Sequence, residues 1–163
     1  MDRLFTPWRL AYVTDASRSA PDCIFCDAAT RLDTEPLVVG RGATAFVILN
    51  KFPYNNGHLM VVPNRHVGRL ADLDASELAE FMQLAQASER ALTAAYRPHG
   101  FNMGLNLGKP AGAGVLGHLH LHVVPRWDGD TNFMTVLSET RVLPEELAAT
   151  AARVRAALSE LKS

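Results

Sequence analysis

Short apolar runs bounded by Gly, Pro and Asn alternate along this chain with two longer stretches in which apolar residues recur every three or four positions. "PLVVG" (36–40), "TAFVILN" (44–50) and "GHLMVVP" (57–63) are short and rich in β-branched residues, and they predict strands. Asn56-Gly57 is a strong turn signal, so the second and third runs are expected to form an antiparallel hairpin. The period then changes in "DASELAEFMQLAQASERALTAAY" (74–96). Asp74 and Glu77 make a capping pair, and Leu78, Phe81, Met82, Ala85, Leu92 and Tyr96 fall near one helical face. Pro98 and Gly100 end that helix. Two more strands are predicted at "FNMGLNLG" (101–108) and "GHLHLHVV" (117–124), separated by "KPAGAGVL" (109–116). A final helix, with Pro144 in its first turn, carries Leu147, Ala151, Val154, Leu158 and Leu161 at steps of four and three. The expectation is an α+β fold in a single domain over 1–163: an antiparallel meander sheet with two main helices, after an irregular segment over 1–35.

Composition narrows the function classes. Sixteen basic residues against 17 acidic ones give a formal charge of -1, which argues against a protein that coats nucleic acid. No apolar run reaches the roughly 18 residues of a membrane span, and "MDRLFTPWRLAYV" lacks a secretory pattern. A cytoplasmic protein without nucleic-acid or membrane partners is expected. Both cysteines lie in "CIFC" as Cys23 and Cys26, a spacing open to either a redox pair or half of a zinc site.

The chemistry concentrates in the last predicted strand. Side chains alternate faces in a strand, so His118, His120 and His122 would share one side at steps of about 7 Å, while Leu119, Leu121 and Val123 point to the core. That spacing is too long for one metal and suits successive tasks along an elongated substrate. Imidazole is nucleophilic and largely neutral near pH 7, and phosphorus is a suitable electrophile for it. The preceding "AGAGVLG" offers backbone N–H groups that can approach phosphate oxygens.

"HLHLHVV" matches the alternating His-apolar-His-apolar-His-apolar-apolar signature of the histidine triad (HIT) superfamily of nucleotide-binding hydrolases and transferases. "AFVILNKFPYNNGHLMVVPNRH" resembles that family's first hairpin and "FNMGLNLG" its penultimate strand. "VVPRWDGDTNFM" and "LFTPWRLAY" resemble the bacterial branch that includes diadenosine tetraphosphate phosphorylases. The resemblance implies a HIT-like fold with His120 as nucleophile on the α-phosphorus and His122 at the phosphate. It also implies Asn50 at the ribose hydroxyls and Asn106 near the phosphates. Many relatives carry Gln and then Ser or Thr where this chain has Ala113 and Gly114. The backbone around Gly112, Ala113 and Gly114, or Lys109 or Arg126, would then supply the missing phosphate donors. Zinc-bearing relatives imply a structural Zn²⁺ held by Cys23, Cys26, His66 and His118.

His58 and His99 are read as structural, and Trp8, Arg9 and Tyr12 as packing for the N-terminal segment. Trp127 would wall the active site, "GDTNFM" would border the pocket or a subunit contact, and Arg141 is either solvated or near a distal phosphate. The leading expectation is a phosphorylase converting diadenosine tetraphosphate to ADP and ATP through a nucleotidyl-histidine intermediate. Alternatives are a dinucleoside polyphosphate hydrolase, a nucleoside phosphoramidase, or a non-catalytic nucleotide-sensing module. A homodimer or homotetramer is expected.

Overall fold

The computed structural model describes residues 23–130 and 144–161. Five strands, β1 (Val38–Arg41), β2 (Ala45–Leu49), β3 (Leu59–Pro63), β4 (Gly100–Leu105) and β5 (Leu121–Arg126), form one sheet. Three α-helices accompany it among the described residues: α1 (Ile24–Thr30), α2 (Ala75–Tyr96) and α3 (Leu147–Glu160). The α+β expectation holds, with every paired neighbour antiparallel.

The strand order is β1-β2-β3-β5-β4. Consecutive strands adjoin through β1, β2 and β3 and again through β4 and β5, as in a meander. Between β3 and β4 the chain crosses through α2 to the far edge, and β5 returns to fill the gap. The Asn56-Gly57 turn signal marks a real hairpin, with Leu49 opposite Leu59. Gly57 adopts φ +77°, and a Cβ there would stand 3.0 Å from the Leu92 side chain, so glycine is required twice over.

β2 and β3 are buried along their whole length because both faces are covered. On one face Val47, Leu49, Leu59, Val61, Leu121 and Val123 pack with Phe81, Ala85 and Leu92 of α2 and Ala151, Val154 and Leu158 of α3. On the other, Phe46, Ile48, Met60 and Val62 meet Phe25 and Ala28 of α1. This second layer corrects the expectation of an irregular segment over 1–35, since Ile24–Thr30 is helical and starts one residue after Cys23.

The capping box at Asp74 and Glu77 is present. The buried stripe of α2 runs through Phe81, Ala85, Ser88, Ala91 and Leu92, whereas Leu78 and Met82 are exposed. The α3 helix begins at Leu147, three residues beyond Pro144, so Pro144 precedes its first turn. Leu161 is also exposed. No helix among the described residues is long and apolar enough to cross a membrane.

Candidate active site and metal centre

β5 pairing begins at Leu121, so His118 and His120 lie on the segment leading into it and His122 lies within the strand. His122 sits between Met60 of β3 and Gly104 of β4. The apolar alternates Leu119, Leu121 and Val123 are buried in the helix-covered core, as the alternation predicts. The imidazoles face the α1 side. Their rings are closer than strand spacing implies: the His120 and His122 centroids are 5.0 Å apart, edge to face.

The hydrogen bonds fix the ring tautomers, because a carbonyl can only accept. His120 Nδ1 donates to the His118 carbonyl at 2.9 Å, which leaves the Nε2 lone pair as its nucleophilic end. His118 Nε2 donates to the Pro63 carbonyl at 2.9 Å, leaving Nδ1 as a ligand atom.

A fourth histidine joins them. His58, read as structural from sequence, is fully buried and accepts the Tyr54 N–H at Nδ1 (3.1 Å). Its Nε2–H therefore donates to His122 Nδ1 at 2.9 Å, and His122 is left with a donating Nε2–H. Tyr54 stacks on the His58 ring at 4.9 Å. His58 is legible only from the β3–β5 pairing, which no local sequence pattern announces.

Desolvation sets the protonation states. Burial pushes His122 down to about 4, with the His120 ring adding to the effect. Burial also lowers His120, against the opposing hydrogen bond to the His118 carbonyl. His118 falls to about 4 for the same leading reason. In all three rings burial therefore favours the neutral imidazole.

Cys23, Cys26, His66 and His118 converge, each offering one ligand atom, and those atoms all lie within 4.8 Å of one another. Cys23 Sγ is 3.3 Å from His118 Nδ1, and Cys26 Sγ is 3.1 Å from His66 Nδ1 and 3.5 Å from His118 Nδ1. Metal–ligand bonds of 2.0–2.3 Å arranged tetrahedrally put ligand atoms about 3.5 Å apart, so the donor set and its spacing fit a four-coordinate cation. Burial and the neighbouring Cys23 push the Cys26 thiol up to about 11. A bound cation reverses that preference, because thiolate is the ligand.

The remaining predicted residues divide. Asn50 is half-buried at the end of β2, its Oδ1 accepting the Phe52 N–H (2.9 Å) and its Nδ2 3.4 Å from His58 Nδ1. Asn106 follows β4 directly and is half-buried. Lys109 is exposed and opens the short 3-10 turn Lys109–Ala111. The N–H groups of Gly112 and Ala113 turn inward onto the Lys109 and Gly108 carbonyls. Gly114 and Val115 N–H have no acceptor among the described residues. Arg126 is committed elsewhere: its guanidinium holds both carboxylate oxygens of Asp130 and Asn102 Oδ1.

His99 lies at the surface, where its Nδ1 accepts the Asp128 N–H. Trp127 is half-buried directly after β5. Trp8, Arg9, Tyr12, Arg141 and the 131–134 part of "GDTNFM" lie outside the described residues.

Comparison with known proteins agrees with this fold. A profile of the HIT domain matches residues 32–129. An AP-4-A phosphorylase of Mycobacterium tuberculosis (strain ATCC 25618 / H37Rv) is 46% identical over 154 residues, which cover 90% of this chain and 79% of that protein. A Zn-bound histidine triad family protein from Mycobacterium smegmatis superposes with a TM-score of 0.72 at 30% identity, covering 88% of this chain and 98% of the other. A hypothetical histidine triad nucleotide-binding protein from Sulfolobus tokodaii superposes at 0.71 with 27% identity, covering 86% and 94%. With the histidine-bearing strand, its hairpin neighbour and the matched profile in agreement, the chain belongs to the HIT domain family.

Proposed function

We propose that this protein is a nucleotidyltransferase that cleaves dinucleoside polyphosphates, with diadenosine tetraphosphate as substrate and inorganic phosphate as acceptor. The observation that carries the reading is the fixed tautomer of His120: Nδ1–H is spent on a backbone carbonyl, so Nε2 presents its lone pair. His120 Nε2 attacks the α-phosphorus, forming a P–N bond as the bond to the bridging oxygen breaks. The leaving nucleotide departs with that electron pair. A phosphate oxygen then attacks the same phosphorus, the P–N bond breaks, and the lone pair returns to Nε2. The products are ADP and ATP. The 46% identity to an AP-4-A phosphorylase supports phosphate as acceptor over water.

His122 presents its Nε2–H to a non-bridging phosphate oxygen, held in that tautomer by His58. Without loop side-chain donors, the N–H groups of Gly114 and Val115, which have no acceptor among the described residues, and the Lys109 ammonium supply the rest of the phosphate contacts. Asn106 lies near the phosphates and Asn50 contacts the ribose, its Nδ2 turning from His58 as substrate enters. Gly112 and Ala113 shape the loop through their inward N–H bonds.

Zn²⁺ is the cation for Cys23, Cys26, His66 and His118, and all four coordination positions are protein ligands, which makes the site structural. Its chemistry when bound is to hold two thiolates and two imidazoles together. The zinc-bound histidine triad protein of M. smegmatis supports this choice of metal. The protein works as a homo-oligomer in the cytoplasm; β4, an edge strand exposing Met103, offers one surface for pairing.

Incubating diadenosine tetraphosphate with and without phosphate tests the reaction. ADP formation that requires phosphate is expected. AMP and ATP formed equally well without phosphate would identify a hydrolase, and binding without turnover in either case would identify a sensing module.

A further inference from the structure

We propose that Asn55 and Asp130 are positioning residues that hold the Tyr54–His58 turn against β5 and so keep the donating proton on His122 Nε2. Their role rests on the reading that His122 donates to a phosphate oxygen, and it concerns what stands behind that donor.

The β3–β5 ladder ends with Leu59 opposite Val123, so His58 lies just outside it. On its other side the turn stays tied to β2, through Asn50 N–H on the His58 carbonyl at 2.9 Å. Toward β5 the tie is a side chain. Asn55 Nδ2 donates to the Pro125 carbonyl at 3.1 Å and to Asp130 Oδ2 at 2.7 Å, so one amide nitrogen spends both protons across the gap. Asp130 has its own anchors, and its side chain is 10% exposed. Its carboxylate takes the Arg126 guanidinium on both oxygens, at 2.5 and 2.8 Å, and the Trp127 N–H at 3.2 Å. Its own N–H bonds the Trp127 carbonyl at 3.1 Å.

The turn held in this way carries the atoms that set the histidine pair. The Asn55 carbonyl accepts the His58 N–H at 3.1 Å, and the Tyr54 N–H beside it points at His58 Nδ1, also at 3.1 Å. Asn50 Nδ2 approaches the same Nδ1 at 3.4 Å, and on the same reading substrate draws it to the ribose. Among the described residues, Tyr54 N–H is then the donor that keeps Nδ1 unprotonated. A slack turn frees both rings to change tautomer together. The His58 proton moves from Nε2 to Nδ1, and the His122 proton moves from Nε2 to Nδ1, where it donates to His58 Nε2. Each ring keeps one proton. The phosphate then meets a lone pair on His122 instead of an N–H, and the loss is greatest as charge builds on the transferring group.

The test uses protein with ¹⁵N-labelled histidine, saturated with AMP to occupy the ribose contact without turnover. Ring tautomers are read from long-range ¹H–¹⁵N correlations in the wild type, Asn55→Ala and Asp130→Ala. Single Nε2–H tautomers of His58 and His122 are expected in the wild type, and mixed or exchange-broadened signals in both variants. His120 should keep its Nδ1–H throughout, because its partner is the His118 carbonyl. In kcat for diadenosine tetraphosphate each variant should lose about 10- to 100-fold, short of the roughly 100- to 1,000-fold of removing a donor outright, with KM within about twofold. Asp130→Ala added to Asn55→Ala should cost about twofold or less beyond Asn55→Ala alone, since both act through one contact.

Unchanged His58 and His122 tautomers in the variants would overturn the proposal and leave the reaction standing. Fully additive losses in the double variant would also overturn it, because Asp130 would then act by another route than Asn55. Tautomers that shift in a protein without turnover would support the positioning and overturn the reaction instead. Should Asp130→Ala fail to fold with Arg126 left uncompensated, Asn55→Ala keeps the Arg126–Asp130 pair and decides alone by the same signals.

Discussion

Each imidazole of the site has its task set by what its second nitrogen touches. His120→Ala should lower turnover of diadenosine tetraphosphate by about 1,000-fold or more, measured by ADP release, because no neighbouring ring presents an outward lone pair. His58→Ala should cost kcat about 10- to 100-fold while the protein still binds nucleotide, since it frees the His122 tautomer without removing the phosphate donor. The sign of the His122 shift makes a pH prediction. The unfolded ring takes a proton near 6.5 and the folded one near 4, so its burial contributes stability above pH 6.5 that is lost as pH falls toward 4. In activity, a pH–rate profile whose acid limb disappears in His122→Gln would show that His122 titrates during catalysis, contrary to its assignment as a neutral donor. The period-two spacing of the three histidines was legible in the sequence, but their separate hydrogen-bond partners were not. Those partners are a Pro63 carbonyl, the His118 carbonyl and a histidine from β3's approach, all contributed by backbone geometry or distant chain.

Among the elements, strands were the easiest to read because β2 and β3 are buried on both faces and so appear as unbroken apolar runs. The α2 boundary was legible from its capping box, but its face was read a little askew. Ser88 is fully buried with its hydroxyl bonded to the Leu84 carbonyl, so a polar residue belongs to the core stripe and draws it away from Leu78 and Met82. The short α1 escaped notice because seven residues bury only Phe25 and Ala28, too few to show a period. At the head of α3, Glu145 accepts hydrogen bonds from Tyr96, Thr150 and Arg153, which lock this helix to the end of α2. Those partners outweigh desolvation and bring the Glu145 carboxyl down to about 2 from 4.5. Its contribution is therefore present above pH 4.5 and lost as pH falls through 2. Glu145→Gln should lower urea-unfolding stability at pH 7 by about 1 kcal/mol, discounted because Arg153 is half exposed, and the difference should shrink under acid. Gly57→Ala should cost about 1–3 kcal/mol by the same measurement, since it strains the turn and crowds Leu92 at once.

For the whole molecule, the cluster of Cys23, Cys26, His66 and His118 matters because it brings together parts that the sheet does not join. Removing zinc should lower the thermal midpoint and loosen α1 before the β2–β3–β5 centre, visible as faster amide exchange at Phe25 than at Val61 or Val123. The Cys₂His₂ set was readable only with the family resemblance in hand, since Cys23 and His118 lie 95 residues apart. The strand order carries a consequence for biosynthesis. β5 emerges last of the five strands yet must slot between β3 and β4. Until β5 has emerged, the far edge of β3 is unpaired and β4 lacks the strand it pairs with. His118, His120 and His122 thus arrive with the segment that seals the sheet. A chain truncated before β5 would expose the open edge of β3 and lack the histidine segment altogether, which makes it a substrate for chaperones and proteases.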